Sequence, residues 1–461
     1  MNLIQLKNSV INSLRQPLFM ISLFTYLSTS LAFTVVAKTI VFYMSDMNFS
    51  LYHIALAGIF ISIPQTYKAL IVALIDYMPV PVIAKLGRSK SILIYFNISI
   101  SVIILTISMI KVEHITWTLL LCFIGCAFGV CLDSINSGYF NNVSMDDDRT
   151  WMKGGNVGYN LGVFVALQLS AFLSKYYSWA VIYKWAVIFN VFLLPVLIFG
   201  PKCSKTRHVF GLIGENNGID SKIGMVKKLT EPYRRPIMSL YSMHKAYLCL
   251  LGVFIAFYRA PDRILGHMLT KIKLDLFGKD MYLILQCVGG IATVVSPLVW
   301  SEIAKTHYKR LKIVNTVHTS VIMMLGVTVF LWKRFEYRSC VSVVEMVSIS
   351  FSVDAGYIGW IAMCMAMILF VVIKFVRIVE SSTCFAYHCD LCEKEYFQTQ
   401  LAIISSVEQV CGKVLGVGVA YLTLFVSQPV LFIIIGATSA PAMLALEILK
   451  KRQRLLNKED R

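Results

Sequence analysis

Twelve apolar stretches dominate the chain, at 17–43, 52–76, 91–110, 115–139, 154–174, 179–200, 246–267, 281–300, 314–332, 357–388, 398–424 and 428–447. A helix of roughly 20 apolar residues crosses the bilayer core, which is about 30 Å thick. Inside lipid, backbone polar groups must be satisfied within the segment, so such stretches are helical. The chain therefore reads as an all-α integral membrane protein of twelve transmembrane helices. Composition agrees: 57% of the 461 residues are hydrophobic and the mean hydropathy is +0.70, whereas soluble domains are about 45–50% apolar. The stretches 91–110 and 281–300 carry no charge, while 357–388 is long for one span and holds Lys374, Arg377 and Glu380.

The net charge of +18 does not indicate nucleic-acid binding, because the basic residues sit in short loops between apolar runs. Such loops mark the cytoplasmic side of a membrane protein. With the N-terminus inside, 27 Lys and Arg fall in cytoplasmic segments and eight outside, the latter including Lys271, Lys273 and Lys279. The expectation is a multi-pass protein of a bacterial inner membrane with both termini cytoplasmic. The first apolar run is too long, and lacks the small-residue cleavage site, for a cleavable signal peptide. Most of the twelve cysteines lie in apolar stretches, so neither a disulfide framework nor a metal site is expected. Cys389 and Cys392 after His388 form a lone CxxC, which reads as an ordinary helix end. No cofactor is expected.

The longest polar segment, 201–245, divides the spans six and six. The expected domains are a bundle at 1–200, a cytoplasmic linker at 201–245 and a bundle with a basic tail at 246–461. This layout resembles the major facilitator fold, in which two six-helix halves alternate access to a site near the bilayer midplane. After the second span, Asp76 precedes Lys85, Gly87, Arg88 and Lys90. This loop resembles the cytoplasmic gating loop of facilitators: the acid caps or pairs, the glycine turns, and the bases meet a neighbouring helix C-terminus.

Charges at membrane depth are expensive and mark functional sites. Lys38, Lys68, Asp133, Arg259, Asp262, Lys374, Arg377 and Glu380 lie there. Pro261 interrupts the helix ladder where Arg259 and Asp262, three apart, share a face. Lys374, Arg377 and Glu380 recur every three residues, as a polar cavity wall or as a self-satisfied ladder. The bases Arg259, Lys68, Arg377, Lys374 and Lys38 are candidate anion binders, and Asp262, Asp133 and Glu380 candidate proton carriers. A polytopic enzyme is the rival reading; it needs a His/Asp pair or a metal cluster, and His318 has no acidic neighbour within a helical turn of its own sequence. No catalytic residue is therefore assigned.

Several strings resemble the muropeptide permease family. They are Pro64-Gln-Thr-Tyr-Lys68 through Asp76, Gly158-Tyr159-Asn160-Leu161-Gly162, Phe257-Tyr258-Arg259-x-x-Asp262, Leu391-Cys-Glu-Lys394 with Thr399-Gln400-Leu-Ala402, and Gly412-Lys413. They fall in order from the second span to the eleventh. The resemblance implies proton-driven import of anhydro-muropeptides, with Asn160 joining the substrate-binding set. The eukaryotic acetyl-CoA transporter family is similar at greater distance, so the wider group is not tied to one substrate; other organic anions or nucleotide-like solutes such as an acyl-CoA are alternatives. The chain departs from the family pattern at Asn160 (for arginine), at Ser137 (for an acid) and at Arg377-Ile-Val-Glu380-Ser381, which replaces a glycine-rich stretch.

Overall fold

A computed structural model describes residues 16–71, 86–111, 114–143, 150–200, 225–303, 307–334, 356–393 and 396–459. All twelve predicted stretches carry helix. Among the described residues, nine helices are long and apolar enough to cross a membrane. Leu51–Thr66, Leu248–Tyr258 with the helix that follows it, and the second half of that following helix occupy the other three stretches. The elements are α1 (Pro17–Ala37), α2 (Thr39–Asp46), α3 (Leu51–Thr66), α4 (Arg88–Ile107), α5 (Ile115–Val143), α6 (Thr150–Leu173) and α7 (Trp179–Phe199). Then come α8 (Met225–His244), α9 (Leu248–Tyr258), α10 (Ala260–Ile303), α11 (His307–Arg334), α12 (Gly356–Asp390), α13 (Phe397–Leu422), α14 (Gln428–Ala437) and α15 (Ala440–Glu459). Large apolar side chains such as Phe192, Phe199 and Val414 lie mostly exposed on them, as lipid-facing residues do.

The described residues pack as two compact units. One draws on Met1–Thr39, Phe60–Leu248 and Phe385–Val407, the other on Ile40–Ile59, Cys249–Cys384 and Glu408–Arg461. Neither unit is an uninterrupted run of chain.

In the first unit α6 lies directly on α1. The sequence supplies glycine every fourth residue on one face of α6. A Cβ at Gly158 would stand 2.1 Å from the Leu23 carbonyl oxygen, and one at Gly162 2.6 Å from that of Leu27. Small residues let helix backbones meet this closely where lipid supplies no hydrophobic drive between them. The Gly-Tyr-Asn-Leu-Gly string is thus a packing seam. A second lock is polar. Asn97 of α4 and Asn190 of α7 are fully buried; Asn97 donates to Ser28 Oγ at 3.1 Å, Ser28 to Asn190 Oδ1 at 3.0 Å, and Asn190 to Ser101 Oγ at 2.8 Å. The bonds tie α1, α4 and α7 together and satisfy groups that are costly to leave bare in an apolar interior.

The second unit is built around α10 and α12. Ile264, Leu265, Met268, Leu269, Ile272 and Leu276 recur at helical spacing and pack with Met363, Ala366, Phe370 and Ile373 of α12 and with Ile322, Leu325 and Val329 of α11. Phe277 stacks on Trp332 at 5.1 Å and meets Phe370 edge-on at 5.6 Å. This pattern corrects one sequence expectation. The seventh span does not stop at residue 267 before an outer loop; the helix runs on to Gly278, whose φ of 69° turns the chain into the next span. Lys271 and Lys273 therefore belong to the helix. Lys271 is accommodated by an ion pair with Asp275 one turn on, at 2.6 Å, which lowers the cost of extending a helix through charged residues.

Replacing Gly158 by valine should destabilise the protein by about 1–3 kcal/mol or block folding, because backbone atoms of α1 cannot yield as side chains do. Gly252→Ala, with nothing within 4 Å of the added carbon, should be neutral or gain up to about 1 kcal/mol in helix propensity. Melting temperatures in detergent test the pair.

Candidate functional site

The charges predicted at membrane depth gather into clusters, each inside one unit. In the first, Lys68 donates to Asp133 Oδ2 at 2.6 Å, with the side chains 23% and 43% exposed. Lys68 thus has a partner at depth and need not snorkel to the surface. Beside it, Tyr26 and Ser137 hydrogen-bond at 3.1 Å, and Ser137 donates back to the Asp133 carbonyl. Ser137 thus places a neutral hydroxyl next to Asp133. Asn160 is half-buried and donates to the Asn156 carbonyl of its own helix at 2.9 Å. Lys38 sits at the break between α1 and α2, where its backbone N–H closes on Thr34.

The gating-loop residues are split. Asp76 and Lys85 lie outside the described residues. Gly87 has φ of 81° and starts α4, with Arg88 as its first residue. Lys90 is buried, and its Nζ donates to the carbonyls of Ile198, at 3.3 Å, and Gly200. Those are the terminal carbonyls of α7, where a cation meets the negative end of the helix dipole.

The second unit holds the larger cluster. The helix ladder breaks at Arg259, between α9 and α10, as the following Pro261 requires. The Tyr258 carbonyl beside the break accepts from Asn315 Nδ2 of α11, at 3.0 Å. Arg259 Nη2 donates to Asp262 Oδ2 at 2.9 Å, and its Nη1 lies 3.1 Å from Glu408 Oε1. Arg263 reaches the same Glu408 oxygen at 2.7 Å, and Arg377 pairs with Asp262 Oδ1. Arg259 and Asp262 are therefore not an isolated pair. They are the middle of a chain from Arg377 to Arg263, carrying three guanidiniums and two carboxylates.

Lys374, Arg377 and Glu380 do not form a self-satisfied ladder either. Arg377 and Lys374 turn to different parts of α10, on either side of Gly278, and Glu380 to α11. Arg377 meets Asp262. Lys374 lies over Gly289, where a Cβ would stand 2.4 Å from its Cδ. Glu380 is fully buried; its Oε1 accepts from Asn315 at 3.1 Å, and its Oε2 is 2.6 Å from His318 Nδ1. His318 thus has an acidic partner, brought from α12 rather than from its own helix. Side-chain bulk is admitted by glycines: Gly266 underlies the Arg377 guanidinium and Gly412 the Arg263 stem.

Sequence reasoning passed over Glu408, Arg263, His318 and Asn315. Glu408 carried the same signal as the other acids, a charge inside an apolar stretch. His318 and Asn315 had none, because their role exists only across helices. Lys273 was assigned to a loop; it is 1% exposed, its Nζ 5.0 Å from the centre of the Phe370 ring. Near the end of α12, Cys392 donates to the His388 carbonyl, and burial pushes its thiol up to about 12.

No protein-family model and no curated protein matches the chain. Among solved structures it is similar to the crystal structure of a D-xylose-proton symporter, with a TM-score of 0.63 at 10% identity over 95% of this chain and 97% of that one. A likeness at that identity speaks to fold, and the fold is that of the major facilitators.

Because Asp262 and Glu408 are shared among three arginines, Asp262→Asn should destabilise the protein by about 3–5 kcal/mol, the usual penalty for orphaning buried charge. Removing Arg259 together with Asp262 should not restore stability, since Arg377 then lacks its acid. Thermal unfolding of both variants by fluorescence-detected size exclusion checks this; full recovery in the double variant would mean that Arg259 and Asp262 act alone.

Proposed function

We propose that this protein is a proton-coupled secondary transporter that moves a small organic anion across a membrane. One observation carries the reading: among the described residues of the second unit, the three guanidiniums of Arg259, Arg263 and Arg377 share two carboxylates, Asp262 and Glu408, and the buried Lys273 has none within ion-pair distance. An excess of cations at membrane depth is costly unless something anionic neutralises it. A solute bearing carboxylate or phosphate groups does so, and guanidiniums bind such groups in a bidentate way. The facilitator fold supports transport over catalysis.

For proton coupling, Glu380 and Asp133 are the candidates the geometry favours over Asp262. A proton on Asp262 must break a clamp of two arginines. Glu380 faces a single histidine able to share the proton, and Asp133 a single lysine. Resemblance to the muropeptide permeases supports anhydro-muropeptide import across a bacterial inner membrane, with cytoplasmic termini supported by the loop charges. The chain's own substitutions favour a diverged specificity within organic anions, acyl-CoA-like solutes included.

Purified protein in proteoliposomes with an inward proton gradient should accumulate radiolabelled muropeptide or another organic anion from a screen, and collapse of the gradient should stop it. Glu380→Gln should abolish uphill accumulation while leaving solute exchange. Equal accumulation by Glu380→Gln and the unaltered protein would remove Glu380 from the coupling mechanism. Cysteines placed in 201–245 should resist an impermeant thiol reagent in intact cells; labelling there would reverse the proposed orientation.

A further inference from the structure

The charge network of the second unit closes on itself at one end and stays open at the other. Asp262 is held by Arg259 and Arg377, Glu408 by Arg259 and Arg263, and Glu380 by His318. Farther along α10, Asp275 is taken by Lys271, and Asp46 pairs with Lys279 at 2.9 Å. Lys273 lies between these pairs. Among the described residues it has no carboxylate within ion-pair distance, and its recorded partner is the Phe370 ring face. Yet it is only 1% exposed. Phe370, Lys374 and Arg377 fall at helical spacing on one face of α12, so the lysine sits at the end of a row of cations. Gly266, which underlies Arg377, is seven residues before Lys273, a rise of about 10 Å along the helix.

A buried ammonium without an acid is held at a considerable energetic disadvantage. Cation–π contact offsets only part of it, and the ring face accepts no conventional hydrogen bond from the three N–H donors. A merely structural position here would serve better with methionine or leucine, which suit the surrounding core of Ile272, Leu276 and Phe277. The missing component is an anion.

We propose that Lys273, with Lys374 beside it, forms an anion subsite that takes a carboxylate or phosphate group of the transported solute, separate from the arginine network around Asp262. The inference rests on the transport reading. It deepens that reading: the solute has one anionic group for the lysines and a second polar or anionic group toward Arg377, about two helical turns away. The buried lysine is reached when α10 and α12 separate around the Phe370 ring.

The test is thermal unfolding of the full chain in detergent, titrated with inorganic phosphate or succinate against sodium chloride at matched ionic strength. Either anion should raise the melting temperature of the unaltered protein. Lys273→Met should melt at or above the unaltered protein without anion, and should weaken the apparent affinity for the stabilising anion by about tenfold or more. Lys273→Arg, which keeps the charge, should retain the response and carries the test if the methionine variant fails to fold; its loss there overturns the subsite. Retention of the full response by Lys273→Met, with loss in Arg377→Gln, places the anion on the arginines alone; the subsite is then wrong while the transport reading stands. No response to either anion in the unaltered protein also overturns the subsite, whereas the transport reading stands or falls on proteoliposome uptake.

Discussion

Asp262 sits where the rest of the second unit converges. It is almost wholly buried, and both its oxygens are spent on guanidiniums, one from its own helix and one from α12. In a low-dielectric interior an isolated carboxylate or guanidinium is prohibitive, while a correctly placed set is tolerated. That requirement determines more than the local contacts. It holds the face of α12 that carries Arg377 toward α10 and draws Glu408 of α13 onto Arg259 and Arg263, while Asn315 of α11 donates to the Tyr258 carbonyl next to the break. Four helices are indexed against one another by charges that cannot be left alone.

The apolar core and the polar network are complementary in this unit. Phe277, Trp332 and Phe370 fill the space between α10, α11 and α12 through oriented ring contacts, and the same α12 face then changes from Phe370 to Lys374 and Arg377. Room for the long basic side chains comes from glycines on the facing helices, Gly266 and Gly289 on α10 and Gly412 on α13. This stretch of α12 is bulky and charged, and glycines on facing helices provide space opposite it. The first unit uses its glycines differently, bringing the backbones of α6 and α1 into contact. Its interior is held by neutral asparagine and serine bonds, with the Lys68–Asp133 pair as a described charged element at depth. The two units thus meet the same requirement, satisfied polar groups in an apolar setting, by different chemistry.

In the second unit the carboxylates of Asp262 and Glu408 are shared among several cations, and Glu380 faces both His318 and the Asn315 amide. Shared counter-ions make these groups interdependent: a change of charge on one carboxylate alters the pairing of every arginine that it holds.

How much of this was legible beforehand follows from the kind of signal involved. Apolar stretches set by bilayer thickness, the charge asymmetry of the loops and the turn at Gly87 are local properties, and a reading along the chain finds them. So is the presence of charge at depth: Arg259, Asp262, Lys374, Arg377 and Glu380 stand out because the surrounding residues are apolar. Partner choice is not local. Three residues three apart on α12 read as a ladder, yet successive positions rotate about 300°, and each side chain finds a different partner on α10 or α11. His318 looked solitary because its acid is 62 residues away in sequence. Lys273 looked like a loop cation because charge usually ends a span; the helix continued because its apolar face, from Ile264 to Leu276, had a core to enter. The sequence by itself determined that the chain is a bundle of membrane helices with buried charge, since hydrophobicity and helical rise are properties of each segment. Only the tertiary structure decided which charges neutralise one another and which lysine is left facing a ring, because in an apolar interior that depends on which helices pack together and on where glycine leaves room.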